Sequence, residues 1–147
     1  GLYSDSILSL QQNGMVLRLN EETRENHFKL YLPDVGMLST AFAGEDSPEI
    51  RKALLENYVM QMLTAGEKYD LCFWESDAMA KVDFILKTDD KTTPVELRVM
   101  GNEKSKSVAS YRQTKSNQEE FYYRFGFENF HSTSVMKQIP YYAIFCL

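Results

Sequence analysis

Histidine, cysteine and long apolar runs are all scarce in this chain of 147 residues. His27 and His131 are its only histidines, so no structural zinc site is expected. Its two cysteines, Cys72 and Cys146, both lie in apolar runs, which reads as a reduced, cytoplasmic chain. No apolar run approaches the roughly 20 residues needed to span a bilayer, and no signal peptide opens the chain, so no membrane partner is expected. The G-x-x-x-x-G-K-[ST] loop that cradles nucleotide phosphates is missing. An excess of basic residues is missing too. The formal net charge of -5 argues against a general nucleic-acid coat while leaving room for a local basic site. There are no repeats and no low-complexity segment. The length suits one core-forming domain, alone or with a small appendage. Gly1 and the abrupt start read as a tag remnant on a fragment of a longer protein.

What is present is an alternation of strand and helix patterns. "SDSILSLQQNG" predicts a short helix capped by Ser4 or Ser6 and stopped at Gly14. "MVLRL" and "HFKLYL" predict two strands joined by the charged turn "NEETREN". "AFAGEDSPE" is a loop. Ser47-Pro48 then starts a helix that runs to Ala65 and stops at Gly66. "DLCFWES" is a strand, and "VDFILKTDDKTTPVELR" is a β-hairpin. "NEKSKSVASYRQTK" is a polar helix with Asn102 or Ser105 as its cap. "EFYYRFGF" and "YYAIFCL" are late strands around the loop "ENFHSTSVMKQIP". From residue 49 onward the order is helix, three strands, helix, two strands, an α/β core behind a small N-terminal element.

The hairpin carries Asp83, Glu96 and Arg98 inside otherwise apolar strands. If its turn centres on Asp90-Lys91, Asp83 lies opposite Arg98 and Ile85 opposite Glu96. All three polar groups then share one face, against an apolar face of Val82, Phe84, Leu86, Val95, Leu97 and Val99. Two nearby carboxylates repel unless a cation sits between them or one is protonated, and Mg²⁺ is a natural occupant of an oxygen site. The helix from Pro48 is apolar nearly all round, so Glu56 is expected to be semi-buried and aimed at the same place. Plainer roles stand beside these. Asp83 and Arg98 can form a cross-strand ion pair. Glu56 can pair with Lys52 one turn back. Lys104, Lys106, Arg112 and Lys115 can be a solvated face rather than a nucleic-acid contact. Trp74 and the tyrosine-rich strand at 121–125 read as core and sheet surface.

A helix Glu, then an Asp, then Glu-x-basic across a hairpin resembles the PD-(D/E)XK nuclease superfamily. More closely, the chain resembles the C-terminal region of a large prokaryotic family of AAA-type ATPases. There a P-loop ATPase domain precedes a domain of unknown function with this nuclease-like core. The resemblance rests on "KLYLPDVGML", "LLENYVMQML", "FWESDAMAKVDFIL", "TPVELRV", "NEKSKSV" and "IPYYAIFCL", from about residue 28 to the end. It implies a restriction-endonuclease-like α/β domain over residues 46–147. A connector with a short helix and strands, similar to a winged helix, would occupy residues 1–45.

The resemblance also implies site chemistry. Asp83 and Glu96 would ligate Mg²⁺, with a carbonyl near Leu97 and with Glu56 as a further ligand. Arg98 stands where the motif has its catalytic lysine. A guanidinium stabilises charge but stays protonated, so it does not serve as a base. Lys81 stands where the family often has an acid. The implied partners are the protein's own N-terminal ATPase domain, which would hold the ATP, and DNA. Three functions follow as alternatives: an accessory domain with a degraded metal site, an active Mg²⁺-dependent DNA nuclease, or a protein-interaction module.

Overall fold

A computed structural model describes residues 2–99, 106–116 and 118–147. In chain order the elements are α1 (Leu2–Gln12), β1 (Leu17–Glu21), β2 (Phe28–Tyr31), α2 (Val35–Ala41) and α3 (Pro48–Ala65). There follow β3 (Asp70–Glu75), β4 (Lys81–Lys87), β5 (Thr92–Leu97), α4 (Lys106–Thr114), β6 (Tyr122–Gly126), β7 (His131–Ser132) and β8 (Met136–Pro140). A 3-10 helix, Tyr141–Cys146, closes the chain. Lys104 and the expected caps Asn102 and Ser105 lie outside the described residues.

The architecture is mixed α/β, built on one eight-stranded sheet in the order β2-β1-β3-β4-β5-β6-β8-β7. β3, β4 and β5 form an antiparallel meander, while β5, β6 and β8 run parallel. The N-terminal hairpin joins the same sheet, because β1 lies parallel to β3.

Local signals set α3. The Ser47 side chain accepts the Ile50 N–H at 3.2 Å, Pro48 opens the first turn, and Gly66 is the C-cap. Val59, Met60 and Leu63 bury one stripe of α3 against Phe73, Phe84, Leu86, Val95 and Phe125. The 3-10 helix adds Tyr141 and Ile144 to this cluster. On the opposite face, Val108 and Tyr111 of α4 pack with Cys72, Trp74, Val82 and Ile85. The sheet is therefore sandwiched between α3 and α4. Burial of this aromatic and aliphatic surface, at roughly 25 cal/mol per Å² of apolar area, is the main favourable term.

Several features differ from the sequence reading. The expected loop "ENFHSTSVMKQIP" holds β7 and β8, and β8 is an inner strand between β6 and β7. α1 begins at Leu2, so Ser4 and Ser6 lie within it instead of capping it. α2 was not foreseen; Asp34 caps it by accepting the Gly36 N–H at 2.7 Å, and none of its residues is buried. The closing "YYAIFCL" is a 3-10 helix rather than a strand. It buries Tyr141, Ala143 and Ile144 while exposing Tyr142 and Phe145, a spacing of three that strand alternation cannot supply. A short run that is apolar throughout carries no period to tell the two apart.

Candidate functional site

The β4–β5 hairpin pairs Phe84 with Val95 and Ile85 with Pro94. The expected register, with Ile85 opposite Glu96, is therefore corrected by two residues. The turn sits one position earlier than expected. Thr88 N–H donates to the Lys91 carbonyl at 3.0 Å, which centres the turn on Asp89 and Asp90. A shift of two keeps the alternation intact.

The pairing of β4 with β3 does not keep it. Cys72 opposes Ile85 and Trp74 opposes Val82, so three steps of β4 span two steps of β3. This extra residue is a bulge, and it reverses the facing of what precedes it. Val82 and Ile85 consequently share the α4 side, while Phe84 and Leu86 lie on the α3 side. Asp83, inside the bulge, turns toward α3 and β2. Glu96 lies between Val95 and Leu97, which both pack on the α3 side, so it points to the α4 side. The expectation of one shared face is corrected on this point: the hairpin sends its two acids to opposite sides of the sheet.

Each acid meets cations of the protein. Asp83 is 3.1 Å from the Lys29 ammonium, 3.9 Å from Lys52 and 4.0 Å from Lys81. Glu56 joins Asp83 but not Glu96, so the expected single cluster of three acids is divided. Glu56 lies 3.7 Å from both Lys29 and Lys52 and accepts the Tyr31 hydroxyl at 3.3 Å. Burial opposes charge on Lys81, but the carboxylates of Asp83, Glu56 and Glu75 outweigh it and hold its ammonium pKa above the ordinary range. Burial, with Glu56 and Asp83 beside it, pushes the Tyr31 hydroxyl up as well. Across the sheet, Glu96 accepts from Arg124 Nε at 2.6 Å, and Arg124 also donates to the Tyr122 hydroxyl at 3.0 Å. Burial opposes the Arg124 charge, yet the Glu96 bond and charge raise its pKa.

Arg98 follows β5. Its backbone N–H donates to the Phe125 carbonyl at 2.8 Å, and its own carbonyl accepts the Tyr141 hydroxyl at 3.0 Å. A cleft of about 560 Å³ opens where β4 begins and β5 ends, lined by Lys52, Lys81, Asp83, Glu96, Arg98 and Lys106 among others. Asp83 and Glu96 thus reach one cleft from the two faces of the sheet. Among the described residues, no group of three histidines, cysteines or acids could hold a metal ion. As arranged, with Asp83 and Glu56 matched by lysines and Glu96 by an arginine, the donor set does not fit Mg²⁺.

The basic candidates on α4 and just after it take separate roles. Lys106 lines the cleft. Arg112 donates to the Glu119 and Glu120 carbonyls, which fixes the loop after α4. Lys115 pairs at 3.1 Å with Glu22, whose carboxylate also meets Lys87 and accepts from the Tyr111 hydroxyl. Lys115 and Arg112 therefore hold the fold together at these contacts.

Sequence reading missed Lys29 and Arg124. Each carried a usable signal: a long cation in the middle of an apolar strand, "HFKLYL" and "EFYYRFGF", is the same oddity that drew notice to Asp83. Lys29 is placed by β2, and β2 is placed by α3. The Asn57 amide accepts the Leu32 N–H at 2.8 Å and donates to the Leu32 carbonyl at 3.0 Å, while Gln61 accepts the Val35 N–H at 2.9 Å.

A family model described as "Domain of unknown function (DUF4143)" matches residues 51–144, well over half of the chain. No curated protein and no solved structure matches it. None of the helices described is long and apolar enough to cross a membrane. Lys29 and Tyr31 lie outside the matched stretch, whereas Glu56, Asp83, Glu96, Arg98 and Arg124 lie within it.

Proposed function

The chain belongs to the DUF4143 family, and from that premise we propose that it is a non-cleaving, nuclease-like accessory domain that binds DNA phosphates in the cleft at the end of β4 and β5. In the longer protein implied by the resemblance, a P-loop ATPase domain precedes it and supplies the nucleotide chemistry. The observation that carries this reading is the matching of every acid in the nuclease-like set to a cation of the chain itself. Metal-assisted phosphodiester hydrolysis needs acids that are open to an ion and an oriented water. Here they are closed by lysine and arginine. The named cleft groups include four cations, Lys52, Lys81, Arg98 and Lys106, against two acids, Asp83 and Glu96. That surplus favours an anion in spite of the acidic chain.

A second reading, a protein-interaction module, is favoured by exposed aromatic side chains after β6 and in the closing 3-10 helix. Phe127, Tyr142 and Phe145 are each more than 60% exposed. The two readings separate in one experiment. Short duplex DNA and supercoiled plasmid are incubated with the domain in Mg²⁺ and in Mn²⁺. DNA retained in a gel, weakened by Lys106→Ala and by added salt, with the plasmid uncut, supports the first reading. Nicking that requires Asp83 and Glu96 would mean an active nuclease. Neither retention nor nicking would leave the interaction module.

A further inference from the structure

Resting on the non-cleaving reading above, we propose that Lys29 is a built-in competitor for divalent cations at the Asp83–Glu56 pair. Its ammonium holds the position between the two carboxylates.

The geometry singles out Lys29 among the three lysines. Its Nζ is 3.1 Å from Asp83 Oδ1 and 3.7 Å from Glu56 Oε2, and its side chain is only 18% exposed. The same ammonium sits 4.8 Å from the centre of the Phe73 ring, which further fixes its position. Lys52 and Lys81 stand farther from Asp83 and are 49% and 40% exposed. They remain hydrated ends of flexible stems, and such pairs are weak. β2 supplies both the ammonium and the Tyr31 hydroxyl that Glu56 accepts. Without Lys29, the two carboxylates would keep only the half-exposed ammoniums of Lys52 and Lys81, and a divalent ion with oxygen ligands would relieve the repulsion that these leave.

The strand that carries this lysine is seated on the core, with Leu19 of β1 and Tyr31 of β2 buried in the α3-side cluster. β2 is an edge strand of the described sheet and pairs with β1. β1 meets β3 through the short ladder Asn20–Cys72 and Glu21–Phe73. The Asn57 amide is the latch between β2 and α3.

The test is a calorimetric Mn²⁺ titration of the full chain, unmodified and as Lys29→Met, Lys29→Arg and Lys29→Met/Asp83→Asn. The unmodified chain and Lys29→Arg should show no saturable binding up to millimolar Mn²⁺. Lys29→Met should bind at least about ten-fold more tightly, and Asp83→Asn in that background should remove the gain. A folded Lys29→Met chain that binds no better than the unmodified one overturns the proposal. If Lys29→Met does not fold, NMR of the unmodified chain decides. Selective broadening of the Asp83 and Glu56 signals by Mn²⁺ with Lys29 in place overturns the proposal, and their persistence supports it. Plasmid cleavage plays no part in this readout, so failure here is distinguishable from failure of the non-cleaving reading.

Discussion

On the α3 side of the sheet, Asp83 and Glu56 share Lys29, Lys52 and Lys81 and keep about 15% of their side-chain surface in contact with solvent. On the α4 side, Glu96 has Arg124 at 2.6 Å and is 7% exposed. The first arrangement spreads two negative charges over one largely buried ammonium, Lys29, and two half-exposed ones, Lys52 and Lys81, so that the fold does not hang on any one of them. The second places one carboxylate and one guanidinium in a poorly hydrated site, where each depends on the other. Attraction is strong there, but so is the cost of stripping water from either partner. The two sides of one hairpin thus solve the same problem, a buried acid, by redundancy and by a single close pair.

The largest effect is expected where redundancy is absent. Arg124→Met leaves Glu96 buried without this partner and should destabilise the fold by about 3–5 kcal/mol, read by urea unfolding. An effect below about 1 kcal/mol would mean that Glu96 reaches water more easily than its surroundings allow. Next comes the latch that seats the N-terminal hairpin on the α3 side. Asn57→Ala strands the Leu32 N–H and carbonyl and should cost about 1–3 kcal/mol. Hydrogen exchange should then show β2 opening before β4 and β5.

Redundancy predicts smaller numbers. Lys52→Ala removes a half-exposed partner that Asp83 and Glu56 can spare, and its cost should stay within about 1 kcal/mol. The smallest effect lies in alkali. The Lys81 ammonium is held above its ordinary value of 10.5 in the folded chain. Its stabilisation is therefore fully present below about pH 10.5 and fades as pH rises through the higher folded value. Lys81→Met should flatten the alkaline end of the stability profile and leave the neutral range nearly unchanged.

Much of this was legible in the sequence because its causes are local. Ser47, Pro48 and Gly66 delimit α3 by backbone chemistry that needs no tertiary context. The hairpin and the pairing of Glu56 with Lys52 follow from alternation and from one helical turn. The bulge at Asp83 was not legible, because it exists only as a mismatch between β4 and β3. One extra residue there is enough to divide acids that alternation alone puts together. The cations were hidden for a related reason. Lys29 lies 54 positions before Asp83 and Arg124 lies 28 after Glu96, and only the sheet order brings them side by side.

The most direct test of that division is a set of double-mutant cycles on unfolding free energy. Asp83→Asn and Glu96→Gln should be additive to within about 0.5 kcal/mol, as expected of groups that share no partner. Glu96→Gln with Arg124→Met should depart from additivity by about 1 kcal/mol or more. Strong coupling between Asp83 and Glu96, together with additivity of Glu96 and Arg124, would contradict the account by placing the two acids in one site.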